Sequence, residues 1–110
     1  MNIQVEQQKK GQCRLSIAEE MTIYSAAAMK DELLGHLSKN QSLEISLNAV
    51  SELDSAGLQI MMMLRQEAQH AGKQLAFIEH SQAVIDVVEL LNLAGHFGDP
   101  IIIVSGEKSA

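Results

Sequence analysis

The composition of this chain excludes several classes of protein. Fourteen acidic and eight basic side chains give a net charge of −6, which argues against nucleic acid or an anionic lipid surface as a partner, because both need a basic face. A length of 110 residues fits one domain, and the 46% hydrophobic content is enough to bury a core. We therefore expect a single domain over residues 1–110, with a flexible tail from about residue 105.

The sequence also predicts the compartment. The single cysteine, Cys13, excludes an internal disulfide, so nothing points to an oxidising environment. The first ten residues contain no apolar h-region of a secretory signal. The longest apolar runs, at residues 60–64 and 101–104, are too short to span a bilayer. We expect a cytoplasmic protein with no direct membrane insertion.

Apolar periodicity predicts strand and helix in alternation. Short strands are expected at residues 3–5 and 13–17, followed by another short extended piece at 19–24. Ser25 is the candidate N-cap of a first helix over 26–37. The buried stripe of this helix is formed by Ala26, Met29, Leu33 and Leu37.

The alternation continues through the middle of the chain. Residues 42–47 are predicted to form a strand, and a second helix runs roughly from Ser55 to Ala71, where Gly72 can end it. Residues 73–79 form a mostly apolar strand, for which we expect a central position buried on both faces.

The last predicted elements are a helix and a strand. Ser81 is the candidate cap of the third helix, and residues 101–104 are predicted to form the final strand. The inner stripe of the helix contains Val84, Val87, Val88 and Leu91. Because each element must bury one face, the whole pattern predicts an α/β domain with a mixed four- to five-stranded sheet and flanking helices.

The second helix has two faces. At about 100° per residue, one narrow core arc contains Ile60, Met61, Leu64, Ala68 and Ala71. Leu58 and Met62 lie off this arc, on the side of Ser55 and Gln66. Either another element covers these two apolar residues, or they belong to a docking surface, to which the flexible methionine side chain is suited. Sequence alone leaves both interpretations open.

Ser55 has three candidate roles. Asp54 or Ser55 is a good N-cap for the second helix. A role as nucleophile is weakly supported, because the nucleophile elbow requires Gly-x-Ser-x-Gly and Leu53 stands at the first glycine. The third role is that of a phosphoryl acceptor, since a phosphate at a helix N-terminus meets free backbone N–H groups and the positive end of the helix dipole.

A phosphate on Ser55 would remain exposed on the same helix. The nearest arginine along that helix, Arg65, is ten residues away, or about 15 Å at helical rise. The new charge would therefore lie beside Asp54, facing whatever docks there. Such an arrangement suits switching a partner off.

The sequence shows no signs of an enzyme. The histidines are scattered, without the spacing of a triad or a metal site, and the glycine-rich phosphate loop is absent. These histidines are His36, His70, His80 and His96. We expect no catalytic residue, no metal and no cofactor, and direct binding of a nucleotide or small ligand is the least favoured class of function.

Several segments resemble the STAS domain family (sulfate transporter and anti-sigma factor antagonist). Residues 21–34 resemble its strand leading into the first helix, and residues 72–78 and 87–97 resemble its following strand and third helix. The specific part is residues 43–62, a strand and a short turn followed by Asp-Ser-x-Gly-Leu opening a helix. The resemblance covers nearly the whole chain.

The resemblance implies a small non-enzymatic signalling module. Anti-sigma factor antagonists of this family bind a serine kinase that acts as an anti-sigma factor. That kinase phosphorylates the serine matching Ser55 and thereby releases the antagonist, and a PPM-type phosphatase reverses the modification. We expect a protein that is monomeric when free. The expected partner surface consists of Asp54, Ser55, Gly57, Leu58, Gln59, Met62 and Gln66.

Two positions depart from the family pattern. Switch proteins of the family usually carry an aspartate at the position of Ser46 and often a second serine at the position of Ala56. The missing aspartate is expected to weaken the acidic surface near the site.

The resemblance also leaves alternatives. A related branch supplies the constitutive STAS subunit of phospholipid ABC transporters, docked on the transporter ATPase, with a hydroxyl residue at the same site. Other members serve as adaptors in chemotaxis or sensory kinase pathways. The motif does not choose among these functions.

Overall fold

Four strands form one mixed sheet in the computed structural model of the protein, which describes residues 3–93, with side chains up to residue 90. The elements are β1 (Ile3–Lys9), β2 (Gln12–Met21), α1 (Ala26–Lys39), β3 (Ser42–Leu53), α2 (Ser55–Ala71), β4 (Gln74–Ile78) and α3 (Gln82–Leu93). The strand order is β1-β2-β3-β4, antiparallel for the first pair and parallel for the other two. The predicted mixed sheet with flanking helices is thus confirmed.

Helices α1 and α2 lie on the same face of this sheet. Each joins two neighbouring parallel strands, and such crossovers are right-handed, so two in succession leave their helices on one side. The two helices contact each other. Along β2 the side chains alternate: Leu15 and Ile17 are buried beneath the helices, whereas Arg14 and Ser16 are partly exposed.

Most of the apolar helix stripes predicted from periodicity are buried in the core. The predicted helical positions that are buried are Met29, Leu33, Leu37, Ile60, Met61, Leu64, Ala68, Val84 and Val88. Ala71 does not join them, because its side chain, in the last turn of α2, is exposed. The predicted strand at residues 101–104, the tail from residue 105 and the side chain of Leu91 lie outside the described residues.

Two predictions about the strands are wrong. β4 is not buried on both faces, because Gln74 and Ala76 are exposed and only Phe77 is fully buried; it is an outer strand of the described sheet, and its predicted central position stays a prediction, since the expected strand at 101–104 lies outside the described residues. The separate extended piece at 19–24 does not exist, because β2 continues to Met21 and the chain then turns before α1. Apolar content alone could not distinguish a turn that displays its apolar side chains from a strand that buries them.

One arginine bridges the strands on the polar face of the sheet. Arg14 on β2 contacts Glu6 on β1 at 3.0 Å, Glu44 on β3 at 3.5 Å and Glu79 just after β4 at 3.0 Å. Its side chain therefore links all four strands. All three carboxylates are largely exposed, so each contact on its own stabilises the fold only weakly.

The two central strands run beyond β4. The pairing of β3 with β4 ends at Ser46 and Ile78, whereas β2 and β3 stay paired as far as Met21 and Leu53. Two register shifts interrupt this pairing, as expected of β-bulges. The extension places the start of α2 directly beside the end of β2.

Candidate phosphorylation site and partner surface

Asp54 caps α2 and is also bonded to the end of β2. Its Oδ1 accepts the backbone N–H groups of Ala56 at 2.9 Å and Gly57 at 3.1 Å, as an N-cap residue does. Its Oδ2 accepts the N–H of Ile23 at 2.9 Å. These bonds favour the ionised carboxylate and lower the pKa of Asp54, with the Ile23 N–H as the largest cause.

Ser55 is the first residue of α2, and its side chain is exposed. Of the two candidate caps, Asp54 therefore fills the role and Ser55 does not. Within the part of the chain that the structure describes, the Ser55 hydroxyl takes part in no hydrogen bond. A hydroxyl at this position is not needed to hold the helix, and it is accessible to another protein.

Gly57 allows α2 to approach β2 closely. A Cβ atom at this position would overlap the carbonyl oxygen of Met21 and lie 2.8 Å from Cδ1 of Leu53. The same Met21 oxygen accepts the N–H of Asp54 at 3.2 Å. Gly57 is thus buried where the first turn of the helix meets the strand, and it forms no part of the exposed surface.

The exposed stripe of α2 is narrower than the sequence predicted. Ser55, Gln59, Met62 and Gln66 are exposed, with Met62 at 39%. Leu58 is only 7% exposed and belongs to the core cluster, so of the two interpretations left open for it, cover by another element applies and exposure on a docking surface does not. The reason is that α2 contacts α1 as well as the sheet, and a helix flanked on two sides is buried over a wider arc than one resting on a sheet alone.

The turn from Thr22 to Ser25 lies against Asp54 and displays two apolar side chains. Ile23 is 69% exposed and Tyr24 is 91% exposed. Ser25 begins α1 as predicted, but its side chain does not cap the helix; its Oγ accepts the N–H of Thr22 at 3.1 Å instead. The sequence interpretation missed Ile23 and Tyr24, because two apolar residues after an alternating run looked like more strand.

Ser46 is buried within the sheet. Its hydroxyl donates to Oε1 of Glu79 at 2.7 Å, and only 3% of the residue is exposed. This bond, followed by the contact with Arg14, lowers the pKa of Glu79. The hydroxyl at this position is therefore directed to Glu79, and the expectation that the missing aspartate weakens the acidic surface near the site stays a prediction. Acidic side chains near the start of α2 come from other positions, namely Glu19, Glu20, Glu52 and Asp54.

No other chemical centre emerges among the described residues. None of their His, Cys, Asp and Glu side chains form a group of three that could hold a metal ion. Among the histidines, His80 has a buried Nε2 atom without a hydrogen-bond partner, and burial lowers its pKa. No helix of the described residues is long and apolar enough to cross a membrane.

Comparisons with known proteins agree on one fold. Residues 5–104 match a family model described as "Mlab, STAS domain". The anti-sigma-B factor antagonist of Bacillus subtilis (strain 168) is 28% identical over 94 residues, which cover 84% of this chain and 86% of that protein.

Two solved structures are similar in fold. The anti-sigma factor antagonist SpoIIAA in its unphosphorylated form has a TM-score of 0.69 at 13% identity, covering 84% of this chain and 83% of its own. The Bacillus cell fate determinant SpoIIAA in the phosphorylated form has a TM-score of 0.66 at 12% identity, covering 84% of this chain and 86% of its own. At these identities the likeness is one of fold.

Proposed function

The chain belongs to the STAS domain family, and on that premise we propose that it is an anti-sigma factor antagonist switched by phosphorylation of Ser55. It is a non-enzymatic cytoplasmic binding protein, monomeric when free. Its partner is a serine kinase that acts as an anti-sigma factor, and a PPM-type phosphatase restores the unmodified form. The surface that binds the kinase is the exposed stripe of α2, formed by Ser55, Gln59, Met62 and Gln66.

The observation that carries this proposal is the division of roles between Asp54 and Ser55. Asp54 supplies the cap of α2, and the exposed Ser55 hydroxyl beside it is bonded to no described residue. A kinase can therefore modify the hydroxyl without removing a contact that holds the fold. The name of the Bacillus subtilis relative, an antagonist of an anti-sigma factor, is consistent with this function.

The surroundings of Ser55 explain how a phosphate would act. The sequence predicts that the phosphate meets free N–H groups, but Asp54 already occupies those of Ala56 and Gly57. The phosphate would add a charge of about −1.5 to −2 directly beside an ionised carboxylate. The rest of the exposed stripe of α2 is uncharged, so burying the unmodified stripe against a partner removes no charge from water. Burying the phosphorylated stripe would remove the phosphate charge from water, which costs free energy.

One observation favours a second candidate function. The matching family model is described by the name Mlab and not as an anti-sigma factor antagonist. In that case the protein is a constitutive STAS subunit of a phospholipid ABC transporter, and the same stripe of α2 contacts the transporter ATPase. Ser55 then serves as a contact residue and is never modified.

The test is a phosphorylation assay with purified proteins. The chain is incubated with ATP and, in turn, with each serine kinase of the anti-sigma class encoded by the source organism, and phosphate is located by mass spectrometry. We expect one kinase to modify Ser55, with no incorporation into Ser55→Ala. Absence of phosphate at Ser55 with every kinase contradicts the proposal. Co-purification of the unmodified chain with a transporter ATPase would favour the second candidate.

A further inference from the structure

The turn between β2 and α1 presents a pair of exposed apolar side chains. Among the described residues, Tyr24 and Ile23 are the two most exposed large hydrophobic side chains, at 91% and 69%. They are adjacent in sequence and lie next to the cap of α2. Tyrosine in particular is enriched at the energetic centres of protein interfaces.

The backbone of this turn is held in place. Four successive N–H groups have partners: Thr22 bonds to Oγ of Ser25 at 3.1 Å, Ile23 to Oδ2 of Asp54 at 2.9 Å, Tyr24 to Oγ1 of Thr22 at 3.3 Å and Ser25 to O of Thr22 at 3.0 Å. The exposed side chains therefore project from a fixed backbone. A fixed backbone lowers the entropy lost on binding.

The turn is continuous with the stripe that carries Ser55. One carboxylate, that of Asp54, bonds to Ile23 on one side and to the first turn of α2 on the other. The turn and Ser55 thus flank the same residue. A partner that covers the start of α2 also meets Ile23 and Tyr24.

The charges around the turn indicate what kind of partner fits. Glu19, Glu20 and Glu52 lie on the ends of β2 and β3, with Glu20 opposite Glu52 in the strand register, and Asp54 follows them. Together with a net charge of −6, these carboxylates complement a basic surface. They disfavour an anionic membrane as the occupant.

We propose that Ile23 and Tyr24 are the apolar anchor through which this protein binds its partner kinase, and that the kinase receives them in an apolar pocket whose basic rim faces Glu19, Glu20 and Glu52, apart from the uncharged surface that covers Ser55. This inference rests on the function proposed above and extends its surface beyond α2. The anchor provides contact area, and Ser55 provides the switch.

The test uses the kinase that phosphorylates Ser55 in the assay above. Its affinity is measured by calorimetry for the wild type, for the double variant Ile23→Ser/Tyr24→Ser and for the control Val5→Thr. Val5 is exposed on β1 opposite Leu15, about 20 Å along β2 from the turn at about 3.3 Å per residue. We expect the double variant to bind about tenfold more weakly or worse, with an unchanged melting temperature, and the control to bind like the wild type.

The outcomes separate the two proposals. If the wild type is bound and phosphorylated and the double variant binds equally well, the anchor is overturned and the proposed function stands. If no kinase binds or modifies the wild type, both fail. Affinity that does not fall with added salt overturns the basic rim. Binding to phosphatidylethanolamine–phosphatidylglycerol vesicles that is lost in the double variant would assign the turn to a membrane and overturn the anchor.

Discussion

The carboxylate of Asp54 accepts the backbone N–H of Ile23 at 2.9 Å while it caps α2. One side chain thus fixes both the helix that carries Ser55 and the turn that carries Tyr24. Because these bonds favour the ionised form, they lower the pKa of Asp54.

We predict that Asp54→Asn lowers stability at neutral pH and removes part of its acid dependence. The folded pKa of Asp54 is lowered, so its contribution is present above the unfolded pKa of about 3.9 and is lost as the pH falls through the folded value. Urea unfolding of wild type and variant from about pH 7 to about pH 3 measures this. The stability difference between the two proteins should shrink toward acid, and a difference that stays constant down to about pH 3 would contradict the prediction.

The switch predicts opposite behaviour for two Ser55 variants. Ser55→Ala should bind the partner kinase like the unmodified wild type and resist inactivation by ATP. Ser55→Asp should lose more than tenfold in affinity, or about 1.4 kcal/mol, because a charge is placed beside Asp54. Both should keep the wild-type stability within about 0.5 kcal/mol, since the side chain is exposed. Calorimetric titration giving equal affinities for all three proteins would instead leave Ser55 as a plain contact residue.

Substitution by alanine should change the stability of the protein in opposite directions at Gly57 and Gly35. Gly57→Ala places a Cβ into the Met21 carbonyl and should destabilise the protein by about 1–3 kcal/mol. Gly35 is in α1 with no atom near its hypothetical Cβ, so Gly35→Ala should stabilise by about 0.5–1 kcal/mol. Chemical denaturation compares the two. A Gly57→Ala protein as stable as the wild type would show that α2 does not depend on this close approach.

The two neighbouring methionines in α2 should differ sharply. Met61 is completely buried and Met62 is 39% exposed. Met61→Lys should cost more than about 3 kcal/mol, because a charge is forced into the core. Met62→Lys should change the melting temperature little and weaken binding of the partner kinase. Similar thermal destabilisation by both substitutions would contradict the assignment of Met62 to the exposed stripe.

His80 should make the protein less stable in mild acid. Burial lowers its folded pKa, so the unfolded chain gains a proton first as the pH falls below about 6.5. The stability that the neutral His80 side chain contributes is therefore fully present above that pH, and it is lost as the pH falls toward the lower folded pKa. His80→Gln should flatten the stability curve in this range. A curve that is identical for His80→Gln and wild type would exclude this effect.

Periodicity predicted the fold because burial of one face is a local property of each element. The stripes of Met29, Leu33 and Leu37 in α1 and of Val84 and Val88 in α3 are visible in the spacing alone, and both are buried. The polar residues at the start of α2 likewise predicted where this helix begins. These features require no knowledge of how the elements are arranged.

The misplaced residues depend on neighbours distant in sequence. Leu58 is buried in a helix that touches α1 in addition to the sheet, and the exposure of Gln74 and Ala76 in β4 depends on how the strands of the described sheet assemble. The turn at Ile23 is shaped by Asp54, thirty-one residues later. The Ser46 hydroxyl is bonded to Glu79, thirty-three residues away. Helical angles and alternation contain no information on such contacts.

The extension of β2 and β3 beyond β4 also bears on aggregation. Past Ser46, the outer edge of β3 has no strand partner among the described residues, and an unpaired strand edge is a template for addition of another chain. Part of this edge is occupied, because the Leu47 carbonyl accepts the N–H of Ser81 at 3.2 Å and α3 contacts β3. Charged side chains are a further protection, and β3 carries Glu52 near its end. The carboxylates that favour a basic partner therefore include one, Glu52, that also opposes self-association through this edge. Variants that neutralise them for binding studies need a check of their aggregation state first.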